Sequence, residues 1–192
     1  MSTASLLREW DYRDFLLAMH PGLFERPYIR SMDEEKYAED LLLALDAWNA
    51  GDYSLPPVPG ISYGFYHGPL DDLRRVVAEV EEHWPDLFNE GDEVYCAFDG
   101  DRIASFAIVT DMGSYRGLKI GGPGCVGTVP AYRRRGIGLR LVKDVTRLLK
   151  DRGYDVSYIF YTSVTDWYRK LGYRRVLRWN RDGITGTWPY PS

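Results

Sequence analysis

The sequence predicts an α/β (α+β) fold, a mixed sheet with helices on both faces, and three observations predict it. Strand-like alternation recurs at residues 94–98, 103–109 and 156–161. One long amphipathic helix is marked by Ile137, Leu141, Val142, Val145, Leu148 and Leu149, spaced three and four apart and stopped by Gly153. Strand and helix patterns interleave along the chain without internal repeats.

Taken in order, residues 6–18 and 34–48 carry apolar side chains at helical spacing, separated by the turn-rich His20-Pro21-Gly22 and Glu25-Arg26-Pro27. They read as two helices of an N-terminal extension, residues 1–60, that packs on the core, pairs two copies or caps an acceptor pocket. Residues 52–60, with Pro56-Pro57 and Pro59, connect it to a main domain of residues 61–192. A strand is expected at 61–66. Beyond Gly68-Pro69, Leu70, Leu73, Val76, Val77 and Val80 form a helical stripe that Pro85 ends. Asp99-Gly100 suits a tight hairpin between the next two strands. A third strand is expected at 118–129, where Gly121-Gly122-Pro123-Gly124 signals a bulge or a close backbone approach. After the long helix and the strand at 156–161, Ser163 and Asp166 resemble a capping box opening a short helix that ends at Gly172. Strands at 173–179 and 184–188 close the chain around Asp182-Gly183.

Composition narrows the function. At 192 residues and 45% apolar, the chain suits one globular domain with a real core. A formal charge of −4 disfavours general affinity for nucleic acid or anionic membrane. No apolar run approaches a membrane span, and Met1 to Ser5 lack signal-peptide character, so a cytoplasmic protein is expected. Cys96 and Cys125 fall inside expected strands, as small reduced core residues do, and His20, His67 and His83 have no metal-ligand spacing. No metal is expected.

The chemistry concentrates where the third strand turns into the long helix. A helix start leaves backbone N–H groups without partners and gathers partial positive charge, which suits an anion. Gly136 and Gly138 leave that backbone open, while Arg133, Arg134, Arg135 and Arg140 add charge and forked donors. The implied ligand is a pyrophosphate. Neither common nucleotide motif fits: Leu139-Arg140 follows Gly138 where a phosphate loop needs Lys and Ser or Thr, and the spacing is not Gly-x-Gly-x-x-Gly.

The spacing Arg-x-x-Gly-x-Gly, Arg133 to Gly138, resembles the GNAT superfamily of N-acyltransferases, whose cofactor is acetyl-coenzyme A. The preceding Val126-Gly127-Thr128-Val129-Pro130-Ala131-Tyr132 and the downstream Trp167-Tyr168-Arg169-Lys170-Leu171-Gly172-Tyr173 extend the likeness, which covers about half of the chain. It implies a sheet whose two central parallel strands splay apart to admit the cofactor. It also implies backbone contacts from Val126, Gly127 and Thr128 to the pantetheine arm, and a pyrophosphate held by Arg133, Arg134, Arg135, Gly136, Ile137, Gly138 and Leu139. Tyr168, four residues before Gly172, would be the general acid.

The sequence departs from the family in two places. Between Arg116 and Tyr132 it has no carboxylate to act as base, and Tyr161 stands where relatives often carry Asn. Asp111, His67, Tyr161 or a water chain could take the amine proton. Tyr63, Phe65, Tyr66, Trp167 and Trp179 are candidates for an acceptor site or for plain core. The expected activity is acetyl transfer from acetyl-CoA to a primary amine of a small molecule, by direct attack in a ternary complex. A covalent relay through Cys125 is the less favoured route, having no histidine placed beside it. The protein would act as a monomer or homodimer. The alternatives are a non-catalytic module that only binds coenzyme A, and nucleic-acid binding through Arg133 to Arg135, which the net charge opposes.

Overall fold

Side-chain caps set the first helices. In the computed structural model, which describes residues 1–191, Ser2 accepts from the Ser5 amide and Asp11 from the amides of Arg13 and Asp14. The chain runs α1 (Thr3–Arg8), α2 (Tyr12–Met19), α3 (Pro27–Arg30), β1 (Ala38–Ala44), β2 (Ile61–Phe65) and α4 (Leu70–Ala78). It continues through β3 (Val94–Asp99), β4 (Arg102–Tyr115), β5 (Leu118–Thr128) and α5 (Ile137–Asp151). The last elements are β6 (Val156–Thr162), α6 (Thr165–Arg169), β7 (Arg174–Asn180) and β8 (Gly183–Thr187).

Two expectations change. The helix expected over 6–18 is split, because the Asp11 cap starts a new helix at Tyr12. The helix expected over 34–48 is the strand β1, buried at all seven positions. Leu41 to Leu45 form an unbroken apolar run that fits both periods, and cover on both faces of a sheet favours the strand.

The chain divides into two units. The first holds Met1–Asn49, Met112–Gly121 and the described residues from Arg152 onward. Its strand order is β5-β6-β1-β7-β8. β1 pairs antiparallel with β6 on one side (Leu42↔Tyr158) and with β7 on the other (Glu39↔Arg178), while β7 and β8 form a hairpin. β5 and β6 run parallel, paired at Ile120↔Val156 and Gly121↔Ser157. On one face Leu7, Phe15 and Leu16 of α1 and α2 pack with Leu42, Tyr158, Leu177 and Trp179. On the other, Thr165 of α6 donates to the Glu39 carboxylate.

The second unit holds Ala50–Asp111 and Gly122–Asp151, with strand order β2-β3-β4-β5. β2, β3 and β4 are antiparallel, with Gly64↔Cys96 and Cys96↔Phe106 in register. Leu73 and Val77 of α4 cover the face carrying Val94, Cys96 and Phe106, closed by Phe88 edge-on to Phe106 at 5.6 Å. α5 lies against β3 and buries Ile137, Leu141, Val142, Val145 and Leu149 as the spacing requires. Leu148 is only partly covered.

Candidate active site

In the second unit, β5 carries Cys125 at φ +46°. This left-handed residue directly follows the glycine-rich run Gly121-Gly122-Pro123-Gly124. At Gly127 a Cβ would lie 2.3 Å from the Phe106 ring, so any larger residue there would have to displace that ring. Its carbonyl accepts from Ser105 Oγ at 2.6 Å, and that hydroxyl lies 3.0 Å from Thr128 Oγ1. The β5 backbone is thereby fixed along Val126 to Thr128.

Past Thr128 the Val129 amide bonds Ala104 O at 3.0 Å, and Pro130–Tyr132 make a single tight turn. Arg133 donates from Nε back to Thr128 O at 3.1 Å, and Tyr132 donates to Asp99 at 3.0 Å. Arg134 and Gly136 both take positive φ, +63° and +80°, which swings the chain into α5. Gly136 O accepts the first helical bond, from Arg140 at 3.1 Å, which makes Gly136 the cap. The amides of Ile137, Gly138 and Leu139 therefore open the first turn without intrahelical acceptors. Arg134 is exposed, and Arg135 lies over the Tyr132 ring at 5.6 Å. Arg140 instead turns to Asp144, 3.5 Å away, and to the Tyr63 ring. A cavity of about 380 Å3 opens at this corner, between Leu55–Pro59 and Arg135, Gly136 and Leu139. An open glycine, a helix start with its first amides beyond intrahelical reach, exposed arginines and a cavity together fit a pyrophosphate with an apolar group beside it.

Tyr168 belongs to the first unit. It is the buried residue of α6, edge-on to Trp167 at 4.8 Å and to Tyr173 at 5.9 Å. The expected capping box is absent here. Val164 is the cap residue, and Thr162 Oγ1 accepts the Val164 amide. Tyr161, next to the last residue of β6, lies at φ +58°, exposed and stacked on Trp179 at 5.2 Å. Burial, with Tyr28 nearby, raises its phenol above the ordinary value. It is a poor base at neutral pH. His67 and Asp111 are exposed. Trp179 is core, fully buried.

The sequence reading missed the two buried carboxylates of β1. Asp40 accepts from Tyr158 Oη at 2.7 Å, Trp179 Nε1 at 3.1 Å and the Tyr161 amide at 3.1 Å. Burial raises it to about 6 although those bonds oppose the shift. Glu39 faces the other way, towards Arg175 and Arg178. The signal was an acidic pair at the head of a leucine run, which is costly in a strand unless both charges are partnered. Among the described residues, no cluster of three or more His, Cys, Asp or Glu could hold a metal, and no helix is long and apolar enough to cross a membrane.

The model of the acetyltransferase (GNAT) domain matches residues 61–176. The chain belongs to the GNAT family. GNAT domains transfer acyl groups from acetyl-CoA, so the corner at Gly136 lies in an acyltransferase domain. No curated protein sequence matches the chain. Among solved structures, the GCN5-related glucosamine N-acetyltransferase region of a fungal multidomain GH3 β-N-acetylglucosaminidase is 24% identical with a TM-score of 0.59, covering 77% of this chain and 20% of that one. A putative GNAT acetyltransferase from Novosphingobium aromaticivorans is 23% identical with a TM-score of 0.51, covering 75% and 62%. A GCN5-related N-acetyltransferase from Sphaerobacter thermophilus is 20% identical with a TM-score of 0.52, covering 74% and 49%. This GNAT chain thus spans between 20% and 62% of the length of those structures, and the likeness carries the fold.

Proposed function

We propose that the protein is an N-acetyltransferase that moves an acetyl group from acetyl-CoA to a primary amine of a small molecule. The observation that carries this reading is the α5 start, where Gly136 at φ +80° lines a cavity together with Arg135 and Leu139, next to the exposed Arg133 and Arg134. The amides of Ile137 to Leu139, with Arg133 to Arg135, would hold the pyrophosphate, and the backbone of Val126 to Thr128 would align the pantetheine arm as an added strand.

The reaction forms a nitrogen–carbon bond and breaks the carbon–sulfur bond. An alkyl ammonium with a pKa near 10.4 leaves about one amine in a thousand free at neutral pH, so that nitrogen must lose a proton. With Tyr161 neutral, that proton leaves through water. Tyr168 would protonate the departing thiolate, whose pKa of about 8.5 makes it a willing acceptor. Direct attack is favoured over relay through Cys125, because burial, with Asp92 nearby, pushes that thiol up to about 11. The reading extends to a cytoplasmic monomer or homodimer.

The test is release of free thiol from acetyl-CoA across a panel of amines, polyamines, aminoglycosides, amino acids and peptides. An acceptor should emerge, and Tyr168→Phe should lower kcat by about 100-fold or more while leaving coenzyme affinity intact. Coenzyme binding with no turnover on any amine, and no effect of Tyr168→Phe, would instead identify a binding module.

A further inference from the structure

The first unit contains a second cavity, of about 610 Å3, between Glu39 of β1, β7, Trp188 and the segment from Ser163 to Trp167. That volume is in the range of small-molecule sites. Four arginines line it, Arg169, Arg174, Arg175 and Arg178, against two carboxylates, Glu39 and Asp166. The local balance is positive in a chain whose formal charge is −4.

The arginines are organised. Glu39, 4% exposed, sits at the base, and its Oε1 accepts from Arg175 Nη1 at 2.8 Å and from Arg178 Nε and Nη2 at 2.9 and 2.7 Å. Thr165 donates to its other oxygen. Burial alone would raise this carboxyl, yet the bonds from Thr165, Arg175 and Arg178 hold it below its ordinary value. One carboxylate thus fixes two guanidiniums and neutralises only one, and each guanidinium keeps donors to spare. The planes are fixed a second time by aromatic faces, Arg175 over Trp188 at 3.9 Å and Arg178 over Tyr37 at 4.3 Å. The Arg174 side chain has no ion pair or hydrogen bond among the described residues and stands exposed at the rim. Arg169 is neutralised by Asp166, 3.3 Å away.

Oriented guanidiniums with spare forked donors select planar or tetrahedral oxyanions over cations and neutral polar molecules. We propose that this cleft binds a small organic anion, a carboxylate or a phosphate ester, through Arg174, Arg175 and Arg178, with Glu39 as the buried anchor that aims two of them. None of these residues belongs to the acyl-transfer machinery assigned above, so the site stands or falls without turnover.

Isothermal titration at low salt tests it with phenyl phosphate and phenylacetate against the neutral benzyl alcohol and phenylacetamide. The anions should bind at least about tenfold more tightly than the neutral pair. Binding of only one anion would sustain the proposal and fix its chemical class. Arg174→Gln, at an exposed position that leaves the fold intact, should weaken anion binding about tenfold, whereas Glu39→Gln should strengthen it by removing the competing charge. Equal binding of anions and neutral probes, or no effect of Arg174→Gln, would overturn the proposal. So would a parallel loss of coenzyme A affinity in Arg174→Gln, which would assign the cleft to the coenzyme's own phosphates.

Discussion

Asp40→Asn should change how stability depends on pH by an amount set by burial. The carboxyl is fully buried and accepts three hydrogen bonds, and loss of solvent still raises it from 3.8 to about 6. The folded chain therefore holds this proton more tightly than the unfolded chain does. Its contribution is favourable below 3.8 and is lost as pH rises through about 6. The gap between the two values corresponds to about 3 kcal/mol. Asparagine keeps an acceptor for Trp179 and the Tyr161 amide, and can donate to a turned Tyr158 hydroxyl. The assay is urea unfolding of wild type and variant from about pH 3.5 to about pH 7, where the variant's advantage should grow by about 3 kcal/mol. His20 supplies a control of opposite sign. Burial and then Arg26 lower its imidazole from 6.5 to about 4, so its contribution is lost as pH falls through that window. His20→Phe, replacing a ring stacked on Phe160 at 3.7 Å, should flatten the acid limb. Parallel curves for wild type and Asp40→Asn would refute the assignment of the raised pKa to burial.

Other substitutions address the coenzyme strand and its turn. Gly127→Ala would place a Cβ 2.3 Å from Phe106, costing about 1–3 kcal/mol in thermal unfolding, with partial recovery on adding Phe106→Leu. Cys125→Ala should keep turnover, and mass spectrometry should find no acylated thiol in wild type, because that thiol is pushed up to about 11. Arg134→Glu and Gly136→Glu should each weaken coenzyme A binding by more than about tenfold in titration. Unchanged affinity in both would contradict the phosphate placement.

The turn at Arg133 to Gly138 was legible because it depends on local rules: a proline stop, a glycine where φ turns positive, and an apolar stripe that α5 buries. The Asp99-Gly100 hairpin was equally local, its two strands pairing from Asp99↔Arg102 onward. β1 was not legible, since a run such as Leu41 to Leu45 fits either period until its neighbours are known. Its partners Tyr158 and Arg178 lie far along the chain, so nothing local singled out Asp40 and Glu39. The Ser163–Asp166 capping box failed because Thr162 Oγ1 had already bonded the Val164 amide, shifting the helix start by one residue.

The position of β1 also governs how the chain can be made. A nascent chain emerging from the ribosome delivers this seven-residue buried strand well before its two neighbours, which begin only at Val156 and Arg174. Until they emerge, an apolar segment waits without hydrogen-bonded company, which is when chaperones bind and when inclusion bodies begin. Deleting the first 44 residues would not trim an appendage. It would unzip β6 from β7's side of the sheet and leave two raw edges in search of another molecule.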